Sequence, residues 1–222
     1  VQVYFRPRQN IDYTLPLIFH TDSHYGSVPV TLQGQGNYSK TYYNSTQGLS
    51  GQALKNQLQN LLAQNYNQLS YNSARDNMYA QLDNYQGAVS CVYTGRTAFF
   101  STRSGANANN INCEHTMPQS YFGSAFPMQS DIHCLFPTDA TANSVRSNYP
   151  FGHVSNPTWQ NGGSKYASGL FEPRNVQKGN SARALLYFAL RYGDYQNFIS
   201  GMESVLRQWH LNDPPDAAEQ TR

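Results

Sequence analysis

Two hydrophobic periodicities divide this chain, and together they restrict it to a mixed fold. Over residues 1–36 apolar and polar side chains alternate in Val1–Phe5, Tyr13–Phe19 and Val28–Gly34. A two-residue period marks strands with one buried face. Pro16 suits an edge or a bulge, and Thr21–Gly26 is turn-like. After a Gly/Asn/Ser/Tyr linker at 37–48, the period changes. Leu54, Leu58, Leu61 and Leu62 recur at helical spacing behind Ser50, which predicts a helix to Gln64 with these leucines in the core. A second, shorter helix is expected over Ser73–Leu82. Val89–Thr94 then reads as a strand and Arg96–Asn110 as a polar loop. Ile111–His115 and Asp131–Phe136 read as two further strands. Helices are expected near Ser181–Tyr192, with Ala184, Leu185, Phe188 and Ala189 inward, and near Tyr195–Trp209. The tail Asn212–Arg222 is polar. The expected class is α+β.

Composition narrows the setting. Hydrophobic residues make up 39% and aromatics 14%, enough to fill a core, so a disordered chain is excluded. Charged residues are only 13%, against about a quarter in ordinary globular proteins. Asn, Gln, Ser, Thr and Tyr supply the polar surface instead, a texture common in exported proteins. No run of 18 apolar residues is present, so no membrane span is expected. The chain opens inside a strand-like run without an initiating Met or a visible signal peptide. We therefore expect a piece of a longer protein, extracellular or periplasmic. Residues 91–191 carry eight basic and four acidic side chains, whereas 192–222 carry two and five. Positive charge thus gathers where a polyanion would be drawn.

The cysteines are Cys91, Cys113 and Cys134, with no CxxC pair and hence no zinc ribbon. A Cys91–Cys113 disulfide is expected, since both lie in strand-like stretches. Cys113–Cys134 and three reduced thiols are the alternatives.

Polar functional groups concentrate in Cys113–Gln119, Ser130–Asp139 and Ala142–Gly152. Phosphodiester hydrolysis needs a base near neutral pKa to activate water, and His115 is suited to that. It also needs a hard cation on oxygen donors, and Glu114 and the Asn143 amide are such donors. Arg146 offers a planar cationic fork for phosphate. Thr138 or Asp139 can cap a short helix that carries Asn143 and Arg146 on one face, at i and i+3. Glu114 and His115 would splay to opposite faces unless their strand ends there. His133 and Asp131 are candidate supporting residues, and Arg183 is a candidate substrate contact. There is no HExxH, so a zinc hydrolase is the weaker reading.

The segments GAVSCVYTGR, NCEHTMPQS, SDIHCLFPTD and NSVRSNYPFG resemble the bacterial endonuclease I family, from about Tyr42 to the C-terminus. That resemblance implies a ββα-metal (His-Me finger) core embedded in a mainly helical nuclease domain, here residues 49–222. It implies a non-specific endonuclease of DNA, sometimes RNA, using one ion of the Mg²⁺ type (Mg²⁺, Mn²⁺ or Ca²⁺). His115 would be the general base, Glu114 and Asn143 the metal ligands, and Arg146 a catalytic arginine close by. Family members usually continue past a W-H…D-P-P stretch into a basic segment with Asn-Pro-Phe. This chain stops at Arg222, so a truncated C-terminus is expected. Residues 1–36 resemble the last strands of an immunoglobulin-like β-sandwich repeat, incomplete as it stands. The expectation is a monomeric nuclease domain within a larger multidomain exported protein. A non-catalytic nucleic-acid-binding or adhesion module with a decayed nuclease is the alternative.

Overall fold

The computed structural model describes residues 12–19, 28–35 and 42–222. These form two compact units, divided between Leu54 and Lys55. In the first, β1 (Asp12–Phe19) pairs antiparallel with β2 (Val28–Gln35), from Asp12↔Gln35 to Phe19↔Val28. These are two of the three expected strands. Val1–Phe5 and the turn Thr21–Gly26 lie outside the described residues.

The division falls within helix α1 (Gly51–Ala63), which matches the predicted span, although only Leu61 of its four leucines is buried. Helix α2 (Tyr71–Asn77) is capped by Ser70, whose side chain accepts the Ser73 N–H, and it runs on into a π-helical turn at Met78–Leu82. A three-stranded antiparallel sheet follows, ordered β3 (Asn84–Tyr85), β4 (Ala88–Ser90), β5 (Thr97–Phe99), with Val89 and Ala98 facing inward. Helix α3 (Arg103–Ala108) is capped by Thr102. The polar loop expected over Arg96–Asn110 is thus a strand and a helix. Both are too short for a hydrophobic period to show, and α3 buries only Ala106.

The next stretch positions the site. Strand β6 (Ile111–His115) leads into the single turn α4 (Gln119–Phe122). The return strand was expected from Asp131, but Ile132–Cys134 is a 3₁₀ turn and β7 spans Leu135–Asp139. β6 and β7 pair antiparallel from Ile111↔Asp139 to His115↔Leu135. Helix α5 (Ala140–Arg146) starts at once, because the Asp139 carboxylate accepts the N–H groups of Thr141 (3.0 Å) and Ala142 (3.2 Å). Seven residues cannot hold a helix alone. Burial of Ala142 and of the whole Arg146 side chain fixes α5 to the hairpin.

A second three-stranded sheet, β8 (Trp159–Asn161), β9 (Ser164–Ala167) and β10 (Leu170–Glu172), was not expected. Its tight β8–β9 turn uses Gly162, where a Cβ would lie 1.9 Å from the Thr94 carbonyl oxygen. Helix α6 (Asn175–Tyr192) begins six residues before the predicted start, since its first turns are polar. Ala184, Leu185 and Phe188 are buried as expected. The last predicted helix is broken at Gln196 and Asn197, both at φ +54, and only α7 (Glu203–Asn212) is α-helical. A short helix α8 (Ala217–Thr221) ends the chain.

Two hydrophobic cores result. One gathers Met117, Phe151, Phe171, Leu185, Phe188, Leu206 and Trp209. The other gathers Met78, Tyr79, Val89, Ile111 and Leu135. Each such side chain contributes about 1.5–3 kcal/mol by burial. The hairpin feeds both cores, with Ile111 and Leu135 in one and Met117 and Cys134, just beyond its ends, in the other. No helix among the described residues is long and apolar enough to cross a membrane.

All three cysteines are free thiols, so the expected Cys91–Cys113 disulfide is not formed. The Cys113 Sγ points to the carbonyl oxygen of Glu114, and the Cys134 Sγ to that of Ala184. Burial raises all three thiols above their ordinary pKa.

Candidate active site

Glu114, His115, Asn143 and Arg146 line one open cavity of about 330 Å³. Gln119, Ser120, Ser147 and Asn148 complete much of its wall. Strand alternation alone would send Glu114 and His115 apart. They share the cavity because β6 pairs with β7 on one side only. Its other edge faces α5, where Asn143 Nδ2 donates to the Cys113 carbonyl at 3.3 Å and to Asn112 Oδ1 at 2.9 Å. The cavity wraps around that open edge and the strand end.

His115 is nearly buried, and Tyr71 packs beside it with ring centroids 5.3 Å apart. Its Nε2 lies 3.0 Å from the Gln129 carbonyl oxygen. A carbonyl only accepts, so Nε2 carries the proton and Nδ1 the lone pair. Burial holds the imidazole down to about 4, against the pull of the Gln129 carbonyl, and the Arg146 and Arg75 charges add to the lowering. The ring is therefore neutral at neutral pH, and Nδ1 can accept a proton.

Glu114 is 2% exposed. Its Oε1 accepts the Tyr93 hydroxyl at 2.6 Å and lies 3.3 Å from Arg146 Nε. Burial raises the carboxyl's pKa, opposed by the Arg146 charge and the Tyr93 hydroxyl. Neither partner touches Oε2. Asn143 has its nitrogen engaged in the same way, which leaves Oδ1 without a protein partner among the described residues.

Arg146 departs from its expected role as a phosphate fork. It is 1% exposed. Nη1 donates to the Ser147 carbonyl at 2.9 Å, Nη2 to the Thr116 carbonyl at 2.6 Å, and the Phe151 ring lies 4.9 Å from the guanidinium carbon. Its charge faces Glu114 instead of solvent.

The endonuclease I profile matches residues 50–222. The chain belongs to the endonuclease I family. The chain is an enzyme, a nuclease that hydrolyses phosphodiester bonds. It is 31% identical over 204 residues to an extracellular ribonuclease of Bacillus amyloliquefaciens, covering 83% of this chain and 70% of that one. It is 29% identical over 201 residues to an extracellular ribonuclease of Bacillus subtilis strain 168, covering 82% and 69%. An extracellular deoxyribonuclease of Aeromonas hydrophila is 24% identical over 158 residues, covering 61% and 69%.

Three expected site residues lie outside this cavity. Asp131 is fully buried and does not line the cavity of Glu114 and His115. It binds the hydroxyls of Tyr187 (2.8 Å) and Tyr192 (2.6 Å) and pairs with His133 Nδ1 (2.9 Å). His133 points outward, with its ring 4.9 Å from that of Tyr187, and supports neither Glu114 nor His115. Arg183 is fastened to both carboxylate oxygens of Glu219 and to the Asp213 carbonyl, and it does not line the cavity of Glu114 and His115. Sequence reasoning missed Tyr93, Asn112 and the Gln129 carbonyl. Each meets its partner across 14 to 31 residues of chain, and the motifs that hold Tyr93 and Asn112 do not reveal those pairings. Among the described residues no group of three His, Cys, Asp or Glu side chains is gathered as a metal site.

Proposed function

We propose that this chain is a secreted, metal-dependent endonuclease that cleaves DNA and RNA without sequence preference, built on a ββα-metal (His-Me finger) core. The observation that carries the reading is the shared cavity. It holds a neutral imidazole whose Nδ1 carries the lone pair and two oxygens, Glu114 Oε2 and Asn143 Oδ1, that no protein group among the described residues engages. One carboxylate and one amide oxygen fit a hard divalent cation, Mg²⁺ with Mn²⁺ or Ca²⁺ as substitutes. Glu114 and Asn143 would hold one such ion. When bound, it would stabilise the negative charge that builds on the phosphate oxygens and the leaving oxygen.

His115 performs the proton chemistry. Its Nδ1 takes a proton from water as the water oxygen attacks phosphorus, and the bond from phosphorus to the leaving sugar oxygen breaks. The Gln129 carbonyl keeps the ring in the required tautomer and orientation. Water is the nucleophile, so a 2′-hydroxyl is not required. This chemistry therefore suits DNA as well as RNA, in line with relatives named for each substrate. Export agrees with relatives that are named extracellular. The β1–β2 hairpin supports an immunoglobulin-like module ahead of the nuclease domain, within a larger multidomain protein.

The test is cleavage of plasmid DNA and of a structured RNA with Mg²⁺, with Mn²⁺ and with EDTA. His115→Ala should lower the rate about 10²–10⁴-fold, the usual contribution of a positioned base. EDTA should abolish cleavage. Cleavage that persists in EDTA, or an unchanged rate in His115→Ala, would overturn the reading.

A further inference from the structure

Each of the two proposed metal ligands has two heteroatoms, and in each the structure ties down one. Glu114 Oε1 takes the Tyr93 hydroxyl, while Oε2 has no protein partner among the described residues. Asn143 Nδ2 donates to Asn112 Oδ1 and to the Cys113 carbonyl. That carbonyl can only accept, so the amide cannot turn its oxygen inward without losing a bond. Tyr93 is itself rigid. It is 1% exposed, its ring lies 4.8 Å from that of Phe171, and its own carbonyl accepts the Ser164 hydroxyl at 2.7 Å.

We infer that Tyr93 and Asn112 are positioning residues that decide which atom each ligand offers: Tyr93 occupies Oε1 of Glu114, Asn112 holds Nδ2 of Asn143, and one oxygen of each is left for the cation. This rests on the metal-site reading above. Without Tyr93, the carboxylate can rotate and a buried oxygen loses its donor. Without Asn112, the Asn143 amide keeps one bond and gains an alternative orientation that presents nitrogen to the cavity. Partners of this kind change metal affinity by about 10–100-fold when removed.

The test measures the ion directly. In a His115→Ala background, with a DNA duplex present and uncleaved, Mn²⁺ binding is titrated from the electron paramagnetic resonance signal of free Mn²⁺. Tyr93→Phe and Asn112→Ala should each weaken binding about 10–100-fold. Asn112→Asp keeps an acceptor oxygen for Nδ2 and should bind at least as tightly as the parent. Thermal unfolding confirms that each variant folds, and Tyr93→Phe retains the ring. If Tyr93→Phe and Asn112→Ala bind Mn²⁺ like the parent while Glu114→Gln loses it, the positioning role is wrong and the metal site stands. If Glu114→Gln and Asn143→Ala also bind like the parent, the metal site is wrong and the positioning role goes with it.

Discussion

At the scale of single residues, the chain treats its buried carboxylates in two opposite ways. Glu114 keeps one oxygen open toward a cavity, whereas Asp131 is saturated. Burial alone would raise the Asp131 carboxyl, yet hydrogen bonds from His133, Tyr192 and Tyr187 outweigh it and hold the group below its ordinary range. A carboxylate lowered on folding contributes stability above its unfolded pKa of about 3.9 and loses it as pH falls through the folded value. Asp131→Asn should therefore cost about 3 kcal/mol near neutral pH, because Arg191 and the tyrosines lose a buried anionic partner. The gap should close on acidification below about pH 4. Urea unfolding of both proteins at several pH values checks this, and a pH-independent difference would contradict it. The sequence showed Asp131 as a polar residue beside a histidine, and that looked like site support. Its partners on α6 lie 56 and 61 residues away, and no local pattern announces them.

At the scale of elements, the decisive piece is the short helix α5, whose first turn hangs on one carboxylate. Asp139 caps it and also receives Arg96, with Nε at 2.9 Å and Nη2 at 2.7 Å. Asp139→Ala should lower stability by about 1–2 kcal/mol. It should also slow DNA cleavage, because α5 carries Asn143. Urea denaturation and plasmid nicking measure the two effects, and full activity would show that α5 does not depend on its cap. This helix was legible because a capping residue stands before a run with Asn143 and Arg146 three positions apart. Strand β6 was legible from its apolar start and the Pro118 that follows. The three strands β8–β10 were not, since segments of three or four residues are too short for alternation to register. The burial of Arg146 was not legible for a related reason. Helical spacing gives the face a residue occupies, but not whether its guanidinium meets solvent or the buried Glu114.

At the scale of the whole nuclease unit, the polar tail proves to be an anchor. Gly179 N–H donates to Asp213 Oδ2 at 2.8 Å, and a Cβ on Gly179 would sit 1.9 Å from the Asp213 carbonyl oxygen, so α6 admits only glycine there. Arg222 then pairs with Asp83, donates to the carbonyls of Ile132 and Leu135, and lies over the Phe136 ring. Arg222→Ala should cost about 1.5–3 kcal/mol, the range for hydrogen bonds to a charged group. Thermal unfolding would show it, and an unchanged midpoint would mean that the anchor is idle. Contacts of this reach leave no trace in periodicity, which is why the segment read as a plain tail. They also fix an order of events. Arg222 is synthesised 139 residues after Asp83, so this fastening forms only when nearly every other described part of the chain already exists.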